Sequence, residues 1–353
     1  MALHDLNESE INFKGLEELL ENTYLKLDLD RPVEFYKTEY EEVIQRYRVR
    51  SLDDYLAVDR LGRGTPLQPS SREEVWEFFA EFLDEKKAEN MADFNDYAYS
   101  LYDALQSGQL KEQYDAIIVD EAQDLPPIKL KLLKELVRTE KNNLLFLSDN
   151  NQRIYQLGSW KQDAGINIVG RTNYLTLNYR TTQQIRKYAE EQFTHSNLDS
   201  AYLEDYKSLF RGPEPEVKEF SDKNEQYHYV VEKINDLLAA EEIQPYQICI
   251  MTPSSDDFRK LIDILEYEGL ESTILQKDVY PQVGNGVGIS TLHGSKGLEF
   301  RTVIVVNYSE IEDKVVGDIP DEVYAKNKLK QLDCLKYVAC TRAREELIIL
   351  SIL

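Results

Sequence analysis

Five short stretches carry side chains whose types and order suit work on a phosphate. In IIVDEAQD (117–124) a β-branched apolar run ends in two adjacent acids, Asp120 and Glu121, with Gln123 just beyond. At the carboxyl end of a parallel strand such a pair can divide the labour. One carboxylate holds Mg²⁺, and the other orients or deprotonates a water. A single protein carboxylate suffices, because Mg²⁺ fills its octahedron with phosphate oxygens and water. Acids also follow strands simply as turn and helix-cap residues. A second apolar run leads to LSDNNQRIY (147–155), which places Asp149, Gln152 and Tyr155 past its end. An amide there can sense a phosphate or a water; Asp and Asn there also build ordinary turns. LNYR (177–180) sets Tyr179 beside Arg180. The planar guanidinium fork suits a phosphate clamp, and the ring suits stacking.

Two further stretches lie towards the carboxyl end. GVGISTLHGSKGLEF (286–300) runs from a strand into Thr291 and His293, then a Gly-rich turn with Lys296, then Glu299. Small residues let backbone N–H groups approach an anion. GSKG is nevertheless not the phosphate loop G-x-x-x-x-G-K-[ST]. YVACTRAREELIILS (337–351) places Arg342 and Arg344 before a last apolar run. An arginine aimed at a γ-phosphate can be worth ~10³–10⁵ in rate. The plainer reading is two exposed arginines paired with Glu345 and Glu346.

The elements that must position these groups alternate. Residues 1–110 read as helices and turns, with apolar residues at three-to-four spacing in 39–47, 72–89 and 93–108. LGRGTPLQPSS (61–71) is a loop whose Ser70 and Ser71 can cap the next helix. Short strands then alternate with helices, which means a parallel sheet with crossovers. RGPEPEV (211–217) is a proline-rich boundary, after which strands at 247–254, 286–291, 302–309 and 346–351 alternate with helices at 223–240, 256–268 and 326–343. The expectation is two α/β lobes joined near 200–215, with a helical region before the first.

Composition bounds the function. The 353 residues carry 41 Lys+Arg against 65 Asp+Glu, a net charge of −24. That excludes a protein that coats phosphates by gross charge. The acid is uneven: residues 1–110 sum to −13, 111–210 to −1 and 211–353 to −10. The middle block is the least repulsive surface for a polyanion. Three cysteines without a CxxC pair give neither a disulfide framework nor a zinc site. No apolar run approaches the ~18 residues of a membrane span, and the amino-terminal stretch is acidic rather than signal-like, so a cytoplasmic location is expected.

Taken together and in this order, DEAQD, SDNNQRIY, LNYR, TLHGSKGLEF and YVACTRARE resemble the superfamily 1 UvrD/Rep-type DNA helicases. The resemblance spans residues 114–351, about two-thirds of the chain. It implies two RecA-like lobes of the P-loop NTPase type, ATP and Mg²⁺ as cofactors, and movement 3′ to 5′ on single-stranded or partly duplex DNA. Asp120 would ligate Mg²⁺ and Glu121 would activate water. Gln123 and Gln152 would couple the nucleotide to DNA. Tyr179 would stack on adenine, Arg180 and Arg342 would stabilise the γ-phosphate, and Glu299 would meet the ribose or help close the lobes. Tyr155, Thr291, His293 and Lys296 would lie on the DNA side.

The sequence departs from that pattern in one large respect. No G-x-x-x-x-G-K-[ST] occurs anywhere in it. The resemblance then implies a helical region at 1–111, a partial first lobe at 112–205 with an incomplete sheet, and a whole second lobe at 206–353. Either the chain is the carboxyl-terminal portion of a helicase, or it is a split subunit or binding module that docks a partner bearing the phosphate loop. In both cases the chain alone is expected to hydrolyse ATP poorly. Smaller departures are Ser148 where glycine is usual, and Leu157 where an aromatic often stacks, with Trp160 nearby as a substitute.

Overall fold

The computed structural model describes residues 10–11, 13–58, 60, 67–111, 113–138, 143–152, 160–196, 206–240, 243–275, 286–315 and 322–353. Tyr155, Arg153, Leu157 and most of the 61–67 loop lie outside these. The chain divides into two compact units. One comprises Met1–Ser148, Gln156–Arg171 and Asp321–Tyr324; the other comprises Asp149–Tyr155, Thr172–Pro320 and Ala325–Leu353.

The first unit is mainly helical. It holds β1 (Glu10–Ile11), α1 (Phe13–Lys26), α2 (Val33–Glu39), α3 (Leu52–Ala57), α4 (Pro69–Ala88), β2 (Met91–Ala92) and α5 (Phe94–Gln106). It continues with β3 (Ile117–Val119), α6 (Pro127–Leu136), β4 (Leu144–Phe146) and α7 (Trp160–Ala164). A π-helical turn, Tyr40–Gln45, extends α2. The core is aromatic: Tyr36, Tyr55, Phe78, Phe79 and Phe82 are all buried, and Phe78 and Phe79 meet edge-on at 5.0 Å between centroids. α4 starts at Pro69 after Gln68, with no side-chain cap. The expectation that Ser70 or Ser71 caps this helix is thereby corrected. Proline fits the first helical position because its missing N–H has no partner there anyway. α5 has the capping box its sequence allows, Asp93 on the Asp96 amide and Asp96 on the Asp93 amide.

β3 and β4 pair in parallel, with α6 as the crossover between them. β3 ends at Val119, just before Asp120, so the strand delivers the acid pair to its carboxyl end.

The second unit is a parallel α/β layer. Its elements are β5 (Leu177–Thr182), α8 (Gln183–Glu191), β6 (Lys207–Phe210), β7 (Glu216–Phe220), α9 (Lys223–Ala239) and β8 (Ile248–Thr252). They continue with α10 (Phe258–Tyr267), β9 (Ser272–Ile274), β10 (Val287–Thr291), β11 (Phe300–Val305), α11 (Ile311–Val315), α12 (Glu322–Thr341) and β12 (Ala343–Ile352). Six strands form one sheet in the order β7-β12-β11-β8-β10-β9, every pair parallel. Successive strand residues point to opposite faces. Cys249, Met251, Val303, Val305, Leu347 and Ile349 therefore pack under α8 and α12. Ile248, Ile250, Ile304, Ile348 and Leu350 pack under α9 and α10. Strands buried on both faces need such continuous aliphatic runs, which is what ICIMT and TVIVV supply. The fold is α/β with parallel sheets, plus a helical region. Among the described residues no helix is long and apolar enough to cross a membrane.

Candidate functional site

In the first unit the acid pair is exposed at the carboxyl end of β3. Glu121 adopts a left-handed backbone, φ 52° and ψ 37°. Such a conformation costs a non-glycine residue free energy and turns the chain sharply. It lets the Glu121 N–H donate to Asp120 Oδ1 at 2.9 Å. The next turn is fastened to the neighbouring strand, where the Ala122 N–H donates to the Leu147 carbonyl at 3.0 Å. Gln123 is 2% exposed, and its Nε2 donates to Glu121 Oε2. Two open carboxylates, one of them steered by a buried amide, fit a Mg²⁺ ion that takes few protein ligands. Trp160 packs on Phe146 at 5.0 Å between centroids, so the proposed substitute platform is engaged with the end of β4.

In the second unit three motifs far apart in sequence converge on Gln152. Asp149 builds the turn, accepting from the Asn151 N–H through Oδ1 at 2.9 Å and from Gln152 Nε2 through Oδ2 at 2.9 Å. Arg342 Nη2 donates to Gln152 Oε1 at 3.0 Å, and Lys296 Nζ donates to the Gln152 carbonyl at 2.7 Å. Arg342 is 1% exposed; its Nε also reaches the Val338 carbonyl at 3.1 Å and its Nη1 the Leu298 carbonyl at 3.3 Å. The expectation of two exposed arginines paired with Glu345 and Glu346 is corrected. Arg344 is exposed, but Arg342 is buried, Glu345 pairs with Arg301 at 2.6 Å, and Glu346 pairs with Lys233 at 3.3 Å. Cys340 in the same stretch is fully buried. That burial pushes its thiol up to about 12, so it packs and does not react.

Arg180 Nε and Glu299 Oε1 lie 2.6 Å apart, half-exposed, while Tyr179 is 64% exposed. A residue that the sequence reading passed over places them. Asn178 Oδ1 accepts from the Arg180 N–H at 2.8 Å and the Thr181 N–H at 3.2 Å, where β5 shifts register against β6. A bulge of this kind re-aims the side chains around it. Asp333 was also missed. Fully buried on α12, it accepts from the His195 N–H at 2.8 Å, the Ser196 N–H at 2.7 Å and Ser196 Oγ at 2.9 Å. It thereby holds the end of α8, which begins just after Arg180, against the helix that leads into Arg342. Nothing in the local sequence marks either residue, since both act through partners that only the fold brings near.

Thr291, His293 and Lys296 share one tight turn. Thr291 Oγ1 accepts the Gly294 N–H at 3.0 Å, and the Ser295 N–H reaches the Thr291 carbonyl at 3.0 Å. Gly297 closes the turn at φ +85°. Gly297→Ala is expected to cost about 1–2 kcal/mol, because an L side chain is strained there. The check is a lower urea midpoint at unchanged slope; an unaltered midpoint would show that the turn tolerates a side chain.

Residues 4–160 match the UvrD/REP helicase N-terminal domain, and residues 173–282 and 255–353 match the UvrD-like helicase C-terminal domain. DNA helicase IV of Escherichia coli K12 is 22% identical over 333 residues, covering 86% of this chain and 45% of that protein. A probable DNA helicase II homolog of Mycoplasma genitalium is 25% identical over 231 residues, covering 58% of this chain and 31% of that protein. A crystal structure of the C-terminal domain of a possible DNA helicase from a Lactobacillus strain, WCFS1, superposes with a TM-score of 0.35 at 22% identity, covering 50% of this chain and 88% of that one. The chain spans less than half the length of either of these two relatives. With both helicase domains matched over nearly its whole length, the chain belongs to the UvrD-like helicase family.

Proposed function

We propose that this chain is the catalytic carboxyl-terminal portion of an ATP-dependent DNA helicase that moves 3′ to 5′ on single-stranded DNA in the cytoplasm. The observation that supports it best is the convergence of Lys296 and Arg342 on Gln152, from positions 144 and 190 residues away. Such a cluster ties the segments that resemble nucleotide- and DNA-facing motifs into one hydrogen-bonded unit. In this reading Asp120 holds Mg²⁺, which when bound neutralises phosphate charge. Glu121 takes the proton of the attacking water, held by Gln123. Tyr179 stacks on the adenine. Arg180 leaves Glu299 for a phosphate oxygen, and Glu299 is then open to the ribose. Arg342, held by Val338, Leu298 and Gln152, serves the γ-phosphate in this reading. Thr291, His293 and Lys296, with Tyr155 from outside the described residues, serve the DNA strand. The phosphate loop comes from other polypeptide, in the same chain or a partner.

The 353-residue chain alone is expected to show almost no ATP hydrolysis with or without single-stranded DNA. Joined to a phosphate-loop segment it is expected to become a DNA-stimulated ATPase that Glu121→Gln slows by ~10²–10⁴. Strong hydrolysis by the chain alone, abolished by Glu121→Gln, would sink the requirement for an added loop. No hydrolysis in the joined protein would sink the helicase reading and leave a binding module. Displacement of duplexes with 3′ but not 5′ tails checks the polarity.

A further inference from the structure

Both arginine-bearing segments of the second unit are irregular where they approach one glycine. In β5, Thr182 lies opposite Phe210, four residues on from Asn178, where β6 advances two from Ser208. In β12, Glu346 lies opposite Thr302, three residues on from Ala343, where β11 advances two from Phe300. Surplus residues of this kind bend a strand and re-aim its side chains. Arg180 lies inside the first irregularity, and Arg342 immediately precedes the strand that carries the second. The two meet at Gly212, in the linker between β6 and β7. A Cβ on Gly212 would stand 2.7 Å from Thr182 Cγ2 and 3.2 Å from the Glu345 carbonyl oxygen. Neither neighbour is free to give way. Thr182 is 3% exposed, and its hydroxyl caps α8 by accepting from the Ile185 N–H at 3.4 Å. The Glu345 oxygen is backbone, in a strand paired to β11. The Gly212 N–H donates to Gln184 Oε1 at 3.0 Å, which seats the linker on the first turn of α8.

The two arginines are also held by consecutive residues. Arg342 Nη1 donates to the Leu298 carbonyl at 3.3 Å, and Arg180 Nε lies 2.6 Å from Glu299 Oε1. In the function proposed above, on which this inference rests, Arg180 leaves Glu299 for a phosphate oxygen. That grip then holds Arg342 alone, and the spacing of the two guanidinium groups needs a second anchor. We propose that Gly212 is that anchor, a positioning residue for Arg180 and Arg342. Its lack of a side chain lets the linker, the start of α8 and the start of β12 close into one joint. The joint sets the separation of the two arginines, and Gly212 acts through Thr182, Gln184 and Glu345 rather than on the reacting atoms. A glycine needed for backbone freedom has a different setting. Gly108, Gly170 and Gly269 combine positive φ with open space, whereas Gly212 has neither.

The test is heteronuclear NMR of the isotope-labelled 353-residue chain, following the arginine Nε–H signals. The Arg342 Nε–H donates to the Val338 carbonyl at 3.1 Å from a side chain 1% exposed, so its hydrogen exchanges slowly. Gly212→Ala is expected to speed that exchange about tenfold or more, and to move the Arg180 Nε resonance as well. Adding Thr182→Ser removes the crowded methyl but keeps the capping hydroxyl, and is expected to restore most of the protection. Gln184→Met removes only the acceptor of the Gly212 N–H. It shifts both signals the same way by a smaller factor, and it decides the matter should Gly212→Ala fail to fold. Gly269→Ala strains a turn of the same unit, at φ +76° with nothing within 4 Å, and leaves both signals unchanged. Unaltered signals in Gly212→Ala, or a response of only one arginine, overturn the proposal. So does a double variant that recovers nothing, or an equal response to Gly269→Ala, which would mean general softening of the unit. No arm depends on ATP hydrolysis. If the joint responds as expected but the protein joined to a phosphate loop hydrolyses nothing, the joint stands and the helicase reading falls.

Discussion

Arg342→Ala is expected to destabilise the second unit by roughly 3–4 kcal/mol. The guanidinium is the largest fully buried side chain in the described structure, and it serves three carbonyl oxygens, those of Val338, Leu298 and the Gln152 side chain. Alanine removes three charge-assisted hydrogen bonds and leaves a buried space; the Val338 carbonyl keeps the Thr341 hydroxyl at 3.1 Å, whereas the Leu298 and Gln152 oxygens lose a charged donor. For a unit of this size the melting temperature falls by on the order of 10 °C. Arg342→Lys recovers less than half of the loss. An ammonium is a point charge and cannot span three acceptors set by a planar fork. Differential scanning calorimetry reads both variants. A fall within about 1 °C for alanine, well under the shift that 1 kcal/mol would give, would mean that the network holds nothing together.

The second large effect lies in the helical unit. Lys86 is 5% exposed; its ammonium contacts Asp93 Oδ2 at 2.8 Å, the Tyr40 hydroxyl at 2.9 Å, and Asp96 Oδ2. Lys86→Met strands the buried Asp93 carboxylate, while Asp96 keeps its ion pair with Arg50 at 3.0 Å, and is expected to cost about 3–5 kcal/mol at neutral pH. The loss must depend on pH with a definite sign. Burial alone would raise the Asp93 carboxyl, but the Lys86 ammonium outweighs it and holds the group well below the usual carboxylate range. The stability this supplies is complete above the unfolded value, near ~4, and is lost as pH falls towards the folded one. Without the ammonium, burial raises the Asp93 carboxyl, and the variant adapts by binding a proton there. The gap between wild type and Lys86→Met should therefore be widest near neutrality and shrink as the pH drops below about 5. Urea midpoints at several pH values measure it. A gap that widens in acid would contradict the assignment.

Particular residues show what could be read ahead of the coordinates. ICIMT and TVIVV announced strands buried on both faces, because only covered parallel strands tolerate unbroken aliphatic runs. Asp120 was legible for the same local reason: acids directly after such a run must emerge at its carboxyl end. Arg342 was not. Whether an arginine is exposed or buried depends on acceptors supplied by Leu298 and Gln152, distant in sequence. The π-helical turn at Tyr40–Gln45 gave no sign either, since YEEVIQ has ordinary helical periodicity. Local chemistry survives in sequence, whereas who satisfies whom is a property of topology.

The order of the six-stranded sheet bears on how the protein is made. β12 lies between β7 and β11, although it is the last of these six strands in the sequence. A ribosome that has completed β11 has therefore exported a sheet with an open slot at an interior position and β7 has no neighbour to pair with. The aliphatic surfaces around Ile304 stay uncovered until residues 343–352 arrive, a span in which chaperones and proteases have their access. The sheet of this unit therefore closes only once residues 343–352 have emerged, and a slow codon cluster ahead of Ala343 would lengthen the exposed interval.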